Sequence, residues 1–242
     1  MTILYVNGDS HAAAAECVNL HAWAMDDGMF WGLGKRPHPD NEKASFGCEL
    51  ANWLNAILYL DAQAGGSNQR IIRTTRQWLL DQKNVKDLFL VLQWSTWERE
   101  EWFDGDDWLQ VNASGIDQVP EHLQQRYKEF IANVDWKECT QHAHDRIWKF
   151  HLELEAQGIR HMMFNGNSHF ESIQKQQDWN RCYIGPYDSS RTYDAILRSN
   201  HFPTVTPDSW HFGPQAHCFW AEYVLQYIKT TQLLDPDEIP TN

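Results

Sequence analysis

Three short apolar runs, ILYV at 3–6, LFLVLQ at 88–93 and IRHMMF at 159–164, alternate with stretches of helix-forming sequence. No other feature constrains the fold as tightly. Apolar runs this short read as strands buried on both faces. Strands separated by helical sequence do not pair as tight hairpins; they line up in parallel, with helices packed on both faces of one sheet. Ligands of such sheets meet the carboxyl ends of the strands, so every strand-to-helix turn is a candidate site.

The rest of the chain fits around these strands. HAAAAECVNLHAWAM, 11–25, reads as a helix, and the polar stretch 26–45 as a long loop. CELANWLNAILYL, 48–60, carries Leu50, Trp53, Leu54, Ile57 and Leu58 at helical spacing and is expected to be one continuous helix. A short strand at 61–64 then ends at Gly65-Gly66, and 67–82 is helical. Helices are expected over 121–134 and 137–157, the second stopped by Gly158, with a short helix near 192–198 and a closing helix over 213–233. No repeat, low-complexity tract or linker interrupts the sequence. The reading is one domain over 1–242 with a Trp-rich acidic insertion around 94–120.

Charge narrows the partners. Twenty basic against 33 acidic residues give a net charge of −13, which argues against nucleic acid and against an anionic membrane surface. No apolar run reaches membrane-spanning length, and MTILYVNGDS lacks the basic start of a secretory signal. Cys17, Cys48, Cys139, Cys182 and Cys218 are odd in number and form no C-x-x-C pair, a pattern of reduced thiols that points to a cytoplasmic setting. Asn112-Ala113-Ser114, a formal glycosylation sequon, is read as chance.

Twelve histidines raise the question of a metal. His142 and His144 do not share a helical face, His151-Leu152-Glu153 lacks the Pro-Cys-x-x-Cys partner of the deaminases, and no H-E-x-x-H occurs. No metal and no cofactor are expected. His11 and His217 are read as packing or pocket-wall residues, and Arg99 as a structural ion pair. Trp94, Trp97, Trp102 and Trp108 either cover a cleft, where rings would suit a sugar or an acyl group, or pin a loop to the domain.

Three turns carry candidate chemistry. Gly8-Asp9-Ser10 follows the first strand; the N–H groups gathered there suit an anion or a developing oxyanion, while the plain structural alternative is a helix cap. Gly65-Gly66, followed by Ser67 and Asn68, allows close backbone approach, yet lacks the Lys-Ser/Thr of a phosphate loop. Asp208-Ser209-Trp210-His211 places a carboxylate three residues before an imidazole, which fits an orienter and a base or an ordinary surface pair.

The order of these three turns resembles the SGNH (GDSL-like) hydrolase superfamily, and the likeness runs from residue 8 to residue 211. "GDS" at 8–10 is similar to the first block, which implies Ser10 as nucleophile. Gly65-Gly66-Ser67 is similar to the second block, which implies oxyanion-hole N–H groups, and the last turn implies Asp208 as orienter and His211 as base. "GGSNQRIIR" and "WSTWERE" are similar to stretches of uncharacterised SGNH-like proteins, some from large tailed phages, which would place the chain in host cytoplasm or a virion. One block departs: where the family has Gly-x-Asn-Asp after the third strand, this chain has Gln93-Trp94-Ser95-Thr96. Ser95 stands at the asparagine's place, and Asn68 is the other candidate for that oxyanion donor.

The resemblance implies an α/β fold, a three-layer α/β/α sandwich of the flavodoxin-like kind with about five parallel strands. It implies a cofactor-free serine esterase acting through an acyl-enzyme on a small-molecule or carbohydrate ester, such as an acetyl or other acyl ester. Acyl transfer by the same triad, and a non-catalytic binding or virion-associated module of the same fold, are the alternatives.

Overall fold

A computed structural model describes residues 2–24, 35–105, 107–113 and 119–240. The strands are β1 (Ile3–Asn7), β2 (Ile57–Leu60), β3 (Leu88–Trp94), β4 (Glu100–Asp104), β5 (Asp107–Val111), β6 (Arg160–Asn165) and β7 (Tyr183–Ile184). Five of them form a parallel sheet in the order β2-β1-β3-β6-β7. Counted within that sheet alone the order is 2-1-3-4-5, the flavodoxin-like arrangement. The remaining two, β4 and β5, pair as an antiparallel hairpin inserted after the third sheet strand.

The helices are α1 (Pro39–Lys43), α2 (Phe46–Leu54), α3 (Asn68–Leu80), α4 (Gln124–Ala132), α5 (Trp136–Ala156), α6 (Tyr193–Ser199) and α7 (Pro214–Thr231). Alternate side chains of each strand feed opposite cores, as the pleat requires. Leu4, Val6, Phe89, Val91, Met162 and Phe164 pack against α2, α6 and α7 through Phe46, Leu50, Leu197, Trp220 and Val224. Tyr5, Leu88, Leu90, Leu92 and Met163 pack on the other face against α3 and α5 through Ile71, Ile147, Phe150 and Leu154. The result is an α/β/α sandwich.

Several elements depart from the sequence expectation. The helix expected over 48–60 stops at Leu54, because Asn55 adopts the left-handed conformation (φ 49°) and caps it. Ile57–Leu60 then pairs with β1, Ile3 opposite Ile57 and Val6 opposite Leu60. The second strand is therefore ILYL, and 61–64 is the loop beyond its carboxyl end. Leu58 fits a helical stripe because helix and edge strand meet the same core, whereas Ile57 faces solvent.

The helix expected from His11 is replaced by a series of turns, with Ala14 (φ 50°) and Glu16 (φ 62°) left-handed. Its expected end at residue 25 lies outside the described residues. The alanines there answer to space and not to propensity: Ala12, Ala13 and Ala15 are fully buried, the first two in the core beside Phe46. Trp94, Trp97 and Trp102 are likewise buried, so the insertion's rings pin it to the domain. Trp102 joins Leu109, Val111 and Tyr127 in a small separate core under the hairpin.

Candidate active site

The turn after β1 is shaped by its neighbours. A Cβ on Gly8 would fall 2.6 Å from both Ala12 Cβ and Gln93 Oε1, so no side chain fits there. Gln93 Oε1 accepts from the backbone N–H groups of Asp9 (3.0 Å) and Ala12 (3.3 Å), fixing the turn's curvature. Asn7 Oδ1 accepts from Gly8 N–H at 2.8 Å and from Arg70 Nη1 at 3.0 Å. Arg70 also holds the second turn, through Gln63 Oε1 (2.8 Å) and Asp61 Oδ1 (2.9 Å). One buried guanidinium thus locks two strand ends together.

Ser10, 9% exposed, sits at the head of this turn. Its backbone N–H makes no hydrogen bond among the described residues, and neither does that of Gly65, which is left-handed (φ 73°). Gly66 N–H is committed to Gln63 O at 2.9 Å. Of the two glycines, Gly65 is the one with a backbone donor available to a ligand.

His211 arrives from the far end of the chain. Its Nδ1 lies 2.9 Å from Glu16 Oε2, which also accepts from Ser209 Oγ at 2.7 Å. An acceptor-only carboxylate places the proton on Nδ1 and leaves the Nε2 lone pair for a base's work. Burial opposes the Glu16 charge, but the bonds from His211 and Ser209 outweigh it and hold the carboxyl below its usual range. Asp208, expected on Nδ1, is exposed, and Glu16 stands in its place. Asp-x-x-His spacing could not reveal this, because the partner carboxylate lies 195 residues away in sequence.

Ser10, Gly65, Glu16 and His211 line a single cavity of about 420 Å³, with Arg99 and Asn167 on its wall and Trp23 and Trp210 beside them. Among the described residues no hydrogen bond joins Ser10 Oγ to His211; nucleophile–base contacts are often loose in a ligand-free site.

Beneath the cavity lies a charged layer that sequence reasoning missed. Asp9, 2% exposed, accepts from Ser95 Oγ (2.7 Å), Arg99 Nη1 (3.1 Å) and the backbone N–H of His11 (3.0 Å). Burial disfavours its charge, yet the Arg99 guanidinium and these hydrogen bonds keep the carboxyl below its ordinary value. Burial pushes His11 down to about 4 and His217 to about 3, so both are neutral imidazoles. The rings of His11 and His211 meet edge-on at 5.5 Å.

The two side chains considered for the third oxyanion donor are both engaged inward. Asn68 grips the backbone of Ser95, accepting from its N–H at 2.8 Å and donating to its carbonyl at 3.2 Å. Ser95 Oγ gives its proton to Asp9 and accepts from Arg99 at 2.9 Å. Arg99, read from sequence as a structural pair with a neighbouring glutamate, pairs instead with Asp9 and reaches the cavity. Its Nε is buried without a hydrogen-bond partner among the described residues.

No family model matches the chain, and no curated protein matches it. Among solved structures the chain is similar to a protein from Desulfitobacterium hafniense described as lipolytic and of the G-D-S-L family. The two share 11% identity over 97% of this chain and 100% of that one, with a TM-score of 0.47. It is also similar to an acetyl xylan esterase from the rumen bacterium Butyrivibrio proteoclasticus (12% identity, 96% of this chain, 64% of that one, TM-score 0.40). A family two carbohydrate esterase from Clostridium thermocellum, solved with cellohexaose, follows at 13% identity, 96% and 65% coverage and a TM-score of 0.38. This chain spans about two thirds of those last two. Among the described residues no helix is long and apolar enough to cross a membrane.

Proposed function

We propose that the protein is a serine-dependent hydrolase of carboxylic esters, with Ser10 as nucleophile, His211 as base and Glu16 as the carboxylate that orients the base. The observation that carries this reading is the Glu16–His211 pair facing the cavity that Ser10 heads. Ser10 Oγ attacks the ester carbonyl and its proton passes to His211 Nε2. Glu16 stabilises the resulting imidazolium, as the carboxylate of a triad does. Backbone N–H groups of Ser10 and Gly65 receive the oxyanion, with the Arg99 guanidinium and the Asn167 amide as side-chain donors on the same wall. The alcohol leaves with the proton from His211, and water repeats the sequence to free the acyl-enzyme. No step calls for a cofactor.

The exposed ring of Trp210 and the neighbouring Trp23 suit an acyl ester on a sugar, since an aromatic face packs against the C–H face of a pyranose. An alcohol in place of water in the second half would give acyl transfer through the same residues. A second reading, a non-catalytic binding module, draws on the lack of a Ser10–His211 hydrogen bond among the described residues. One experiment separates them. Hydrolysis of p-nitrophenyl acetate that disappears in Ser10→Ala, together with fluorophosphonate labelling of Ser10 that disappears in His211→Ala, supports catalysis. A folded wild-type protein that neither hydrolyses nor labels is the binding module.

A further inference from the structure

At the opposite end of the sheet, two histidines and a cysteine converge with no part in ester chemistry. His151 on α5, His161 at the start of β6 and Cys182 just before β7 offer ligand atoms that all lie within 4.8 Å of one another. Their exposures are 0%, 3% and 9%. His161 Nδ1 lies 2.8 Å from the carbonyl oxygen of Ile159, which can only accept, so Nδ1 carries the proton and Nε2 presents a lone pair. That lone pair is 2.8 Å from His151 Nδ1.

His151 then has no comfortable neutral form. With the proton on Nδ1, its Nε2 is a buried acceptor without a hydrogen-bond partner among the described residues, 3.5 Å from the Glu155 carboxylate. With the proton on Nε2, that nitrogen faces Glu155, but two imidazole lone pairs confront each other at 2.8 Å. A cation held between the facing nitrogens resolves the conflict, and the third group in reach is a thiol.

We propose that His151 Nδ1, His161 Nε2 and Cys182 Sγ form a binding site for a zinc-class divalent metal ion. Imidazole and thiolate donors select such an ion over magnesium or calcium. Each imidazole keeps one N–H with an acceptor already placed for it: His161 Nδ1 on Ile159 O, His151 Nε2 toward Glu155. Zinc-bound histidines are oriented by such outer partners. Ordinary zinc–ligand lengths set donor separations of about 3.3–3.8 Å, so the ring nitrogens part slightly and the sulfur draws in. Burial pushes the Cys182 thiol up to about 11, so it keeps its proton until the metal–sulfur bond forms and releases that proton to solvent. A thiolate and the nearby Glu155 together balance the dication. A fourth position remains for water. The ion ties α5 to the outer edge of the sheet, where β7 is only two residues long.

The test uses the full chain, stripped with a chelator and titrated with Co²⁺ and then Zn²⁺. The expected result is one equivalent of Co²⁺ bound with a thiolate-to-cobalt charge-transfer band, displaced by Zn²⁺. Cys182→Ser should abolish that band and weaken Zn²⁺ binding at least ten-fold, while Cys139→Ser should leave both unchanged. No charge-transfer band in the wild type, or one that survives in Cys182→Ser, overturns the site and leaves a protonated His151 bridging His161 and Glu155. Should Cys182→Ser fail to fold, mapping which thiol Zn²⁺ shields from alkylation in the wild type decides it. Shielding of Cys182 supports the site, and shielding of another cysteine or of none overturns it.

Discussion

Exchanging carboxylate for amide at two positions asks which group orients the base. Glu16→Gln keeps an oxygen that can accept from His211 Nδ1–H and Ser209 Oγ, so the geometry survives while the charge is lost. At 2.9 Å, a unit charge and the imidazolium attract by about 1.4 kcal/mol in water and about 6 kcal/mol at an effective dielectric of 20. The side chains of His211 and Glu16 are 19% and 32% exposed, which places the pair between these limits. A loss of about 2–4 kcal/mol of imidazolium stabilisation corresponds to a kcat lower by roughly 30- to 1000-fold. Asp208→Asn, at an exposed residue without a bond to His211, should stay within about two-fold of wild type. Initial rates on p-nitrophenyl acetate near neutral pH, with Tm measured alongside, read both variants. A kcat that falls as far in Asp208→Asn as in Glu16→Gln would refute Glu16 as the orienter.

Gly8→Ala should cost about 2–4 kcal/mol, because its Cβ displaces Ala12 or Gln93 and with it the bonds Gln93 makes to the turn; a Tm unchanged within a degree or two would show that the turn yields. Ser95→Ala should lower stability by about 1–3 kcal/mol, since it removes a hydroxyl bonded to buried Asp9, and a thermal melt with no shift would contradict that role. Neutral His11 and His217 take up protons on unfolding below their ordinary value of 6.5 but resist them in the fold, with values of about 4 and 3. Their contribution is therefore complete above pH 6.5 and is lost as pH falls toward those folded values, by up to about 4 kcal/mol at pH 5. Melts across that range should show Tm falling by at least about 5 °C, and a flat profile would mean the two rings are not held neutral.

Three of the five sheet strands were legible because strands buried on both faces leave short apolar runs, whereas ILYL at the sheet edge merged with a helical stripe. LFLVLQ and IRHMMF became β3 and β6, and the turns beyond Asn7 and Trp94 fell at the cavity end. What escaped was structure decided by tertiary contact. HAAAAEC looks helical by propensity, but Gln93, from another strand, captures the N–H groups of Asp9 and Ala12 and bends the segment into turns. Glu16 is one of many acidic residues until the fold places it against His211. β7 has two residues, too few to show any period. Asn7 and Arg70 carry no motif, although an arginine just inside a helix that follows a glycine turn is a signal that could have been weighed. Ser10, Gly65 and His211 could be singled out as candidates because each lies in a turn beside a strand or helix end and their order along the chain is informative.

Glu16 and His211 stand 195 residues apart, and on the proposed function their pairing sets when activity appears as well as where. During synthesis the sheet's first strands can associate while the carboxyl-terminal segment is still unmade, but the base has no orienting partner until almost the last helix has emerged. The segment carrying His211 is held by the bridge between Thr204 and Phe212, by the buried Phe212 ring, and by the bonds from His211 and Ser209 to Glu16. A loop-borne segment of this kind opens at a lower free energy than the central strands do. On the proposed function, mild denaturant should abolish ester hydrolysis while the tryptophans of the core still report a folded protein, making activity the more sensitive gauge of whether the two ends of the chain remain together.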